Sequence, residues 1–394
     1  MTDASREAPL PRTVPMAPVA PADAGAQDLA ALPKGFDPTS LRFALAWVLP
    51  LGVAAAAWRS PWAAWAAMFA WQVMFALLEF VPALKHSPPA VRASGWHRWC
   101  IRVHVPLQAA LLGFALWLVA RGAEGGAFAG FGHFGVGEAV ALGIAVGGVT
   151  GSHGITFAHE LGHSRSRADR LLGWLLMGSV LYAHFMVEHY RGHHPRAATR
   201  DDPASARRGE TLWRFLPRTL AGSWRSAWRL EVAQLAQLQR GWHRSPLAWA
   251  TAAQAAGLAL LALSLGPLAL LFWLVQAGYA VFLLEAINYI EHYGLVRAPQ
   301  ANGRPEPFGV NHAWNADHLV TNSVIANLQR HSDHHMHAWK PYAELQPLPG
   351  PELPTGYAGC LFLASVPPWW FRAMEPRLRA LERIRGGEAA VPAV

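Results

Sequence analysis

"PLALLFWLVQAGYAVFLLEAINYIEHYG", residues 267–294, opens as a long apolar run and closes on glutamate and histidine. A bilayer core of ~30 Å needs ~20 mostly apolar residues in helical form. Positions 267–290 therefore read as a membrane span, with His292 and Glu291 at its end. Ionisable groups at membrane depth are costly and tend to be functional. The stretch predicts a helical membrane protein whose chemistry sits at one end of its spans.

Working outward, the same criterion gives spans near 41–57, 62–84, 103–121, 134–157 and 247–265. A further run, 171–187 ("LLGWLLMGSVLYAHFMV"), is borderline in length. If it crossed, "HELGH" (159–163) and "EHYRGHH" (188–194) would face opposite sides, so it reads as packed in or on the membrane. The expected fold is all-α and polytopic, with about six transmembrane helices and a cytoplasmic helical cap carrying a histidine-rich two-metal site. Residues 1–40 are Pro/Ala-rich and read as a disordered tail, 41–385 as one membrane domain and 386–394 as a C-terminal tail. The small residues of "GIAVGGVTGSHG" (143–154) serve either as room beside the first histidine motif or as helix-packing contacts.

Composition agrees with a membrane protein. Only 15% of the 394 residues are charged, against about 25% in soluble domains. The 19 tryptophans suit membrane–water interfaces. The net charge of +8 comes largely from arginines in 85–102 and 158–246. By the positive-inside rule these segments are cytoplasmic, which accounts for the basic balance without nucleic acid. Cys100 and Cys360 are the only cysteines. They cannot build a disulfide framework, an iron–sulfur cluster or a CxxC relay, so electrons for any redox chemistry come from another protein.

The histidines fall into motifs. His159 and His163 are four apart; His189 is followed by His193 and His194; His292 ends the last span; His331 is followed by His334 and His335. On a helix, residues three and four apart share a face. Glu188, Glu291 and Asp333 stand beside these histidines and are expected to orient them. Others, including His153, His184, His312, His318 and His337, read as ordinary satisfied side chains. Nine convergent imidazoles exceed the four ligands of a tetrahedral zinc and suit two metals. Imidazole-rich sites with open positions accept iron, which activates dioxygen. In a zinc hydrolase of the HExxH type, Glu160 would be the general base, but the second and fourth motifs would have no purpose.

The segments "HELGH", "EHYRGHH", "NYIEHYGL" (288–295) and "LQRHSDHHMH" (328–337) resemble the integral-membrane non-haem di-iron alkane 1-monooxygenase family, which is related to membrane fatty acid desaturases and xylene monooxygenase. The resemblance runs from about 135 to 380. It implies terminal hydroxylation of medium- to long-chain alkanes to primary alcohols, with O2 as co-substrate. The nine histidines would hold two Fe ions, with Glu160, Glu188, Glu291 and Asp333 just outside them and no intrinsic flavin. Rubredoxin and its reductase would deliver the electrons to a metal site on the cytoplasmic side of the inner membrane. The alkane would arrive from the lipid. Related enzymes acting on xylene-like or fatty acyl substrates are the alternative. Ser164 stands where the family commonly carries lysine, and "FVPALKHSPP" (80–89) lacks an acidic stretch, departures that bear on substrate preference.

Overall fold

The structure, a computed structural model, describes residues 32, 36–123 and 134–388. The expected tails and the loop near 122–133 lie largely outside the described residues. Among those residues there are helices and no strands, only isolated bridges such as Asn315–Glu352. Five helices are long and apolar enough to cross a membrane: α1 (Pro38–Arg59), α2 (Pro61–Leu78), α3 (Gly95–Gly122), α4 (Val136–His163) and a helix of 47 residues, Pro246–His292.

That last helix accounts for the difference from the six spans read in the sequence. It consists of two helices that meet at a non-helical break at Gly266 (φ 79°, ψ −175°), followed by Pro267. Only glycine adopts this backbone readily, and proline removes the next helical hydrogen bond. The parts before and after the break contain the two expected spans 247–265 and 267–290. At 1.5 Å per residue each is long enough for a ~30 Å core.

The starts of these helices follow from local sequence. Ser60 before Pro61 and Ser245 before Pro246 accept hydrogen bonds from the N–H groups of Ala63 (2.9 Å) and Ala248 (3.0 Å). Serine at the cap with proline in the first turn is a helix start signal. α2 stops at Leu78, before Pro82, so its helical part is shorter than the 62–84 read from hydropathy. α3 begins earlier than 103 and α4 runs on through the first histidine motif.

The run 171–187 does not form one helix. α5 (Arg167–Ser179) has 13 residues, about 20 Å by helical rise. The chain then turns through Leu181 (φ 58°) before a short helical stretch, α6 (185–196). The remaining elements are α7 (Leu212–Gln237), α8 (the long helix Pro246–His292), α9 (Leu319–Val324), α10 (His331–Met336), α11 (Tyr357–Ser365) and α12 (Pro367–Glu388).

α4 lies at the centre, packed along α8. Gly143, Gly147 and Gly151 recur every fourth residue on the contact face. A β-carbon at Gly147 would lie 2.6 Å from the Gln276 carbonyl oxygen, so the glycine permits the close approach. The small residues of 143–154 thus act mainly in packing, and Gly151 also borders a cavity. One apolar core lies among the spans around Leu49, Met68, Leu142 and Phe272, and a second surrounds the histidine motifs with Phe157, Tyr289, Trp314 and Trp370. Large apolar side chains also cover the outside, with Leu263 87% exposed and Leu77 64%. Such a surface is unfavourable in water and favourable in lipid.

Candidate metal centre

The nine motif histidines converge from α4, α6, α8 and α10 into two adjoining groups. His159, His163, His189, His194 and His334 form one; His193, His292, His331 and His335 form the other. Within each group one ring nitrogen per residue lies within 4.8 Å of those of the others. His163 and His194 are half-buried and the other seven buried. The groups touch through His194 and His335, whose ring centroids are 4.5 Å apart.

Local helix geometry explains this sorting. His159 and His163 are four apart on α4, so both aim into the first group. On α10, His331 and His335 are also four apart and aim into the second, while His334 turns to the first. In α6 the turn over His189–His193 is a π-turn, bonded i to i+5. It brings His189 and His194, five apart, to 3.0 Å between their Nε2 atoms and sends His193 to the other group. A regular α-helix would set residues five apart ~140° around its axis. Another π-turn, Thr150–Ile155, precedes the first motif in α4.

The Nε2 atoms face one another: 2.9 Å for His159 and His334, 3.2 Å for His163 and His194, 3.3 Å for His292 and His331. Two neutral imidazoles meeting this way need a proton or a cation between them. Burial disfavours the charged, doubly protonated ring and keeps these imidazoles neutral. It pushes His334 down to about 3, helped by the nearby His193, and holds His189, His194, His331 and His335 well below the usual histidine range. His193 Nε2 and both ring nitrogens of His335 are buried without a hydrogen-bond partner. Neutral, inward-facing and unpartnered nitrogen donors fit a pair of metal ions.

Acceptors behind the second group fix its rings. His193 Nδ1 lies 2.9 Å from Asp202 Oδ2, and His292 Nδ1 lies 3.3 Å from the His312 carbonyl oxygen. Glu291 Oε1 is 3.2 Å from His331 Nδ1, an electrostatic contact outside hydrogen-bond geometry. A proton held at Nδ1 leaves the Nε2 lone pair for a metal. Asp202 is buried and also receives the Ser205 hydroxyl (2.6 Å). Burial works to raise its pKa, but His193 and the hydrogen bonds prevail and hold it below the usual range. Sequence reading missed Asp202; its signal, an acid in "RDDPAS" just after the second motif, emerges only once the chain folds back by nine residues.

The acids singled out in the sequence divide. Glu291 faces His331, as described. Among the described residues none of the four carries a hydrogen bond to a motif histidine, and the other three face elsewhere. Glu188 pairs with Arg196 (2.6 Å), Asp333 binds His337 (2.5 Å) and Lys340 (3.1 Å), and Glu160 accepts the backbone N–H of Tyr342 (3.1 Å). Neighbours in sequence leave a helix in different directions, which is why adjacency misled for Glu188 and Asp333. Burial pushes Glu188 up to about 7 against the opposing effect of Arg196. Glu160 turns to the Tyr342 backbone, and three more imidazoles join His159 and His163, a poor fit to a hydrolytic zinc site.

A cavity of about 140 Å³ abuts the histidines at His159, His189 and His331. Its walls are mainly apolar side chains of α2 (Met68, Trp71, Phe75), α8 (Leu283, Ile287) and the 324–328 segment, with the exposed Phe362 and a few polar groups such as Asn288 and Glu291 bordering it as well.

Fold and site together define a polytopic helical membrane protein with two adjoining histidine groups beside an apolar cavity. The comparisons place it further. The family model described as fatty acid desaturase matches residues 138–361. Alkane 1-monooxygenase 2 of Pseudomonas aeruginosa is 37% identical over 321 residues, 78% of this chain and 83% of that protein. Alkane 1-monooxygenase 1 of Alcanivorax borkumensis is 35% identical over 297 residues, 74% and 70% of the two chains. The xylene/toluene monooxygenase hydroxylase component of Pseudomonas putida is more distant, 28% identical over 240 residues, 60% and 63%. The chain belongs to the membrane fatty acid desaturase and alkane 1-monooxygenase family, and it is an oxidoreductase.

Proposed function

We propose that the protein hydroxylates medium- to long-chain alkanes at the terminal carbon, giving primary alcohols, at two non-haem irons held by the nine histidines. The observation that carries this reading is the apolar cavity ending on both histidine groups, because an alkane offers nothing but apolar surface to recognise. A bound iron pair would supply activation of O2 and cleavage of an unreactive C–H bond. The chain's own residues do the rest. Met68, Trp71, Phe75 and Leu283 bind the hydrocarbon and exclude water, Asp202 and the His312 carbonyl keep Nδ1 protons in place, and Glu291 places its charge beside His331 Nδ1.

Electrons come from outside, since Cys100 and Cys360 are free and buried. Rubredoxin, reduced by its reductase, is the proposed donor, meeting a metal site on the cytoplasmic side of the inner membrane. Of the arginines in 191–244, Arg191, Arg196, Arg208 and Arg218 are committed to ion pairs. The exposed Arg214, Arg225, Arg229 and Arg240 offer positive charge to an acidic carrier. The test is purified protein in nanodiscs with an n-alkane: turnover should require reduced rubredoxin, fall with added salt, and accompany about two irons per chain, as nine imidazoles demand. Turnover with NADH alone, or one zinc per chain, would count against it.

A further inference from the structure

Tyr357 lies at the start of α11, buried at 4% exposure. Its hydroxyl donates to Glu291 Oε1 at 2.6 Å, the same oxygen that faces His331 Nδ1. The Leu328 carbonyl is also within reach, at 3.2 Å. One phenolic proton serves one acceptor well, and the shorter bond to a carboxyl group is the stronger. All three side chains border the cavity.

The helix that carries Tyr357 is itself tied down. Glu79, just past the end of α2, accepts the N–H groups of Ala358 (3.2 Å) and Gly359 (2.8 Å) and the hydroxyls of Thr321 (2.8 Å) and Thr355 (3.2 Å). A carboxylate on the free N–H groups of a helix start fixes that end in place. Distant parts of the chain are thus linked, from Glu79 through α11 and Tyr357 to Glu291 and His331.

We propose that Tyr357 is a positioning residue for the four-histidine group. It fixes Glu291 Oε1 3.2 Å from His331 Nδ1, an electrostatic contact that favours the proton on that nitrogen and leaves the Nε2 lone pair facing His292. The other acceptors behind this group, Asp202 and the His312 carbonyl, do not depend on α11. The effect of Tyr357 therefore falls on one of the two metal positions. This inference rests on the proposed metal-binding role of the histidines.

The test uses full-length, iron-loaded protein in nanodiscs. Tyr357→Phe keeps the ring and removes the hydroxyl. One of the two irons should become ~10–100-fold easier to remove with a chelator, the range for loss of a group that orients a metal-bound histidine. The other iron should keep wild-type behaviour, and the Mössbauer spectrum of 57Fe-loaded protein should change at one site of two. Tyr289→Phe loses a comparable hydrogen bond, to the Glu210 carbonyl (2.7 Å), whose acceptor is neither a motif histidine nor Glu291, and should leave both irons unchanged. Adding Tyr357→Phe to Glu291→Ala should cost no further iron, whereas a role in packing alone would add its own loss. Wild-type iron retention and spectrum in Tyr357→Phe would overturn the inference while the metal-site reading stood. A wild-type chain that binds no iron would remove the reading and the inference together.

Discussion

At the scale of single residues, the nine histidines were legible because three motifs carry them close together at helical spacing and His292 ends an apolar span. Which histidine joins which group was not, since that depends on a π-turn over His189–His193 that spacing does not announce. Asp202 was hidden for a similar reason: its contact with His193 is made by a loop. Asp202→Asn should weaken metal binding ~10–100-fold, read by chelator competition. His337→Ala should leave iron content unchanged, because His337 binds Asp333 and belongs to neither group. Equal iron loss in the two variants would contradict this division. The buried histidines also set a pH response. His334 titrates near 6.5 unfolded and at about 3 in the fold. The folded state therefore favours its neutral form, a contribution fully present above pH ~6.5 and lost progressively as pH falls toward 3. The metal-free protein should show a falling Tm from pH 7 to pH 5; a flat profile would mean these rings are not buried as described.

At the scale of elements, hydropathy located the apolar segments well and their ends poorly. Length and composition do not mark where a cap or a proline stops a helix, as at Ser60, Pro82 and Ser245. The break at Gly266–Pro267 was visible as the gap between a pair of spans, and non-helical backbone at Gly266 parts two helices there. The recurring glycines of α4 carried two readings in the sequence, and only the approach of α8 assigns them mainly to packing. Gly147→Leu should therefore destabilise the protein by about 1–3 kcal/mol or more, the cost of overfilling a packed contact. Gly113→Leu, with open space around its β-carbon, should leave thermal unfolding in detergent close to wild type. Similar losses at both positions would argue that α4 and α8 are not in close contact.

At the scale of the whole molecule, membrane spans, clustered imidazoles and an apolar cavity form one arrangement. The spans keep the cavity walls in a medium an alkane already occupies, and the histidine motifs close one side of it. The cavity was not legible in the sequence, because its walls come from α2, α4, α8, α11 and the 321–328 segment, brought together only by folding. The most direct test of the central claim is the fate of molecular oxygen. Purified protein with reduced rubredoxin and n-octane under 18O2 should yield the terminal alcohol carrying one 18O atom, and a product that is an alkene, or an alcohol without the label, would contradict the account.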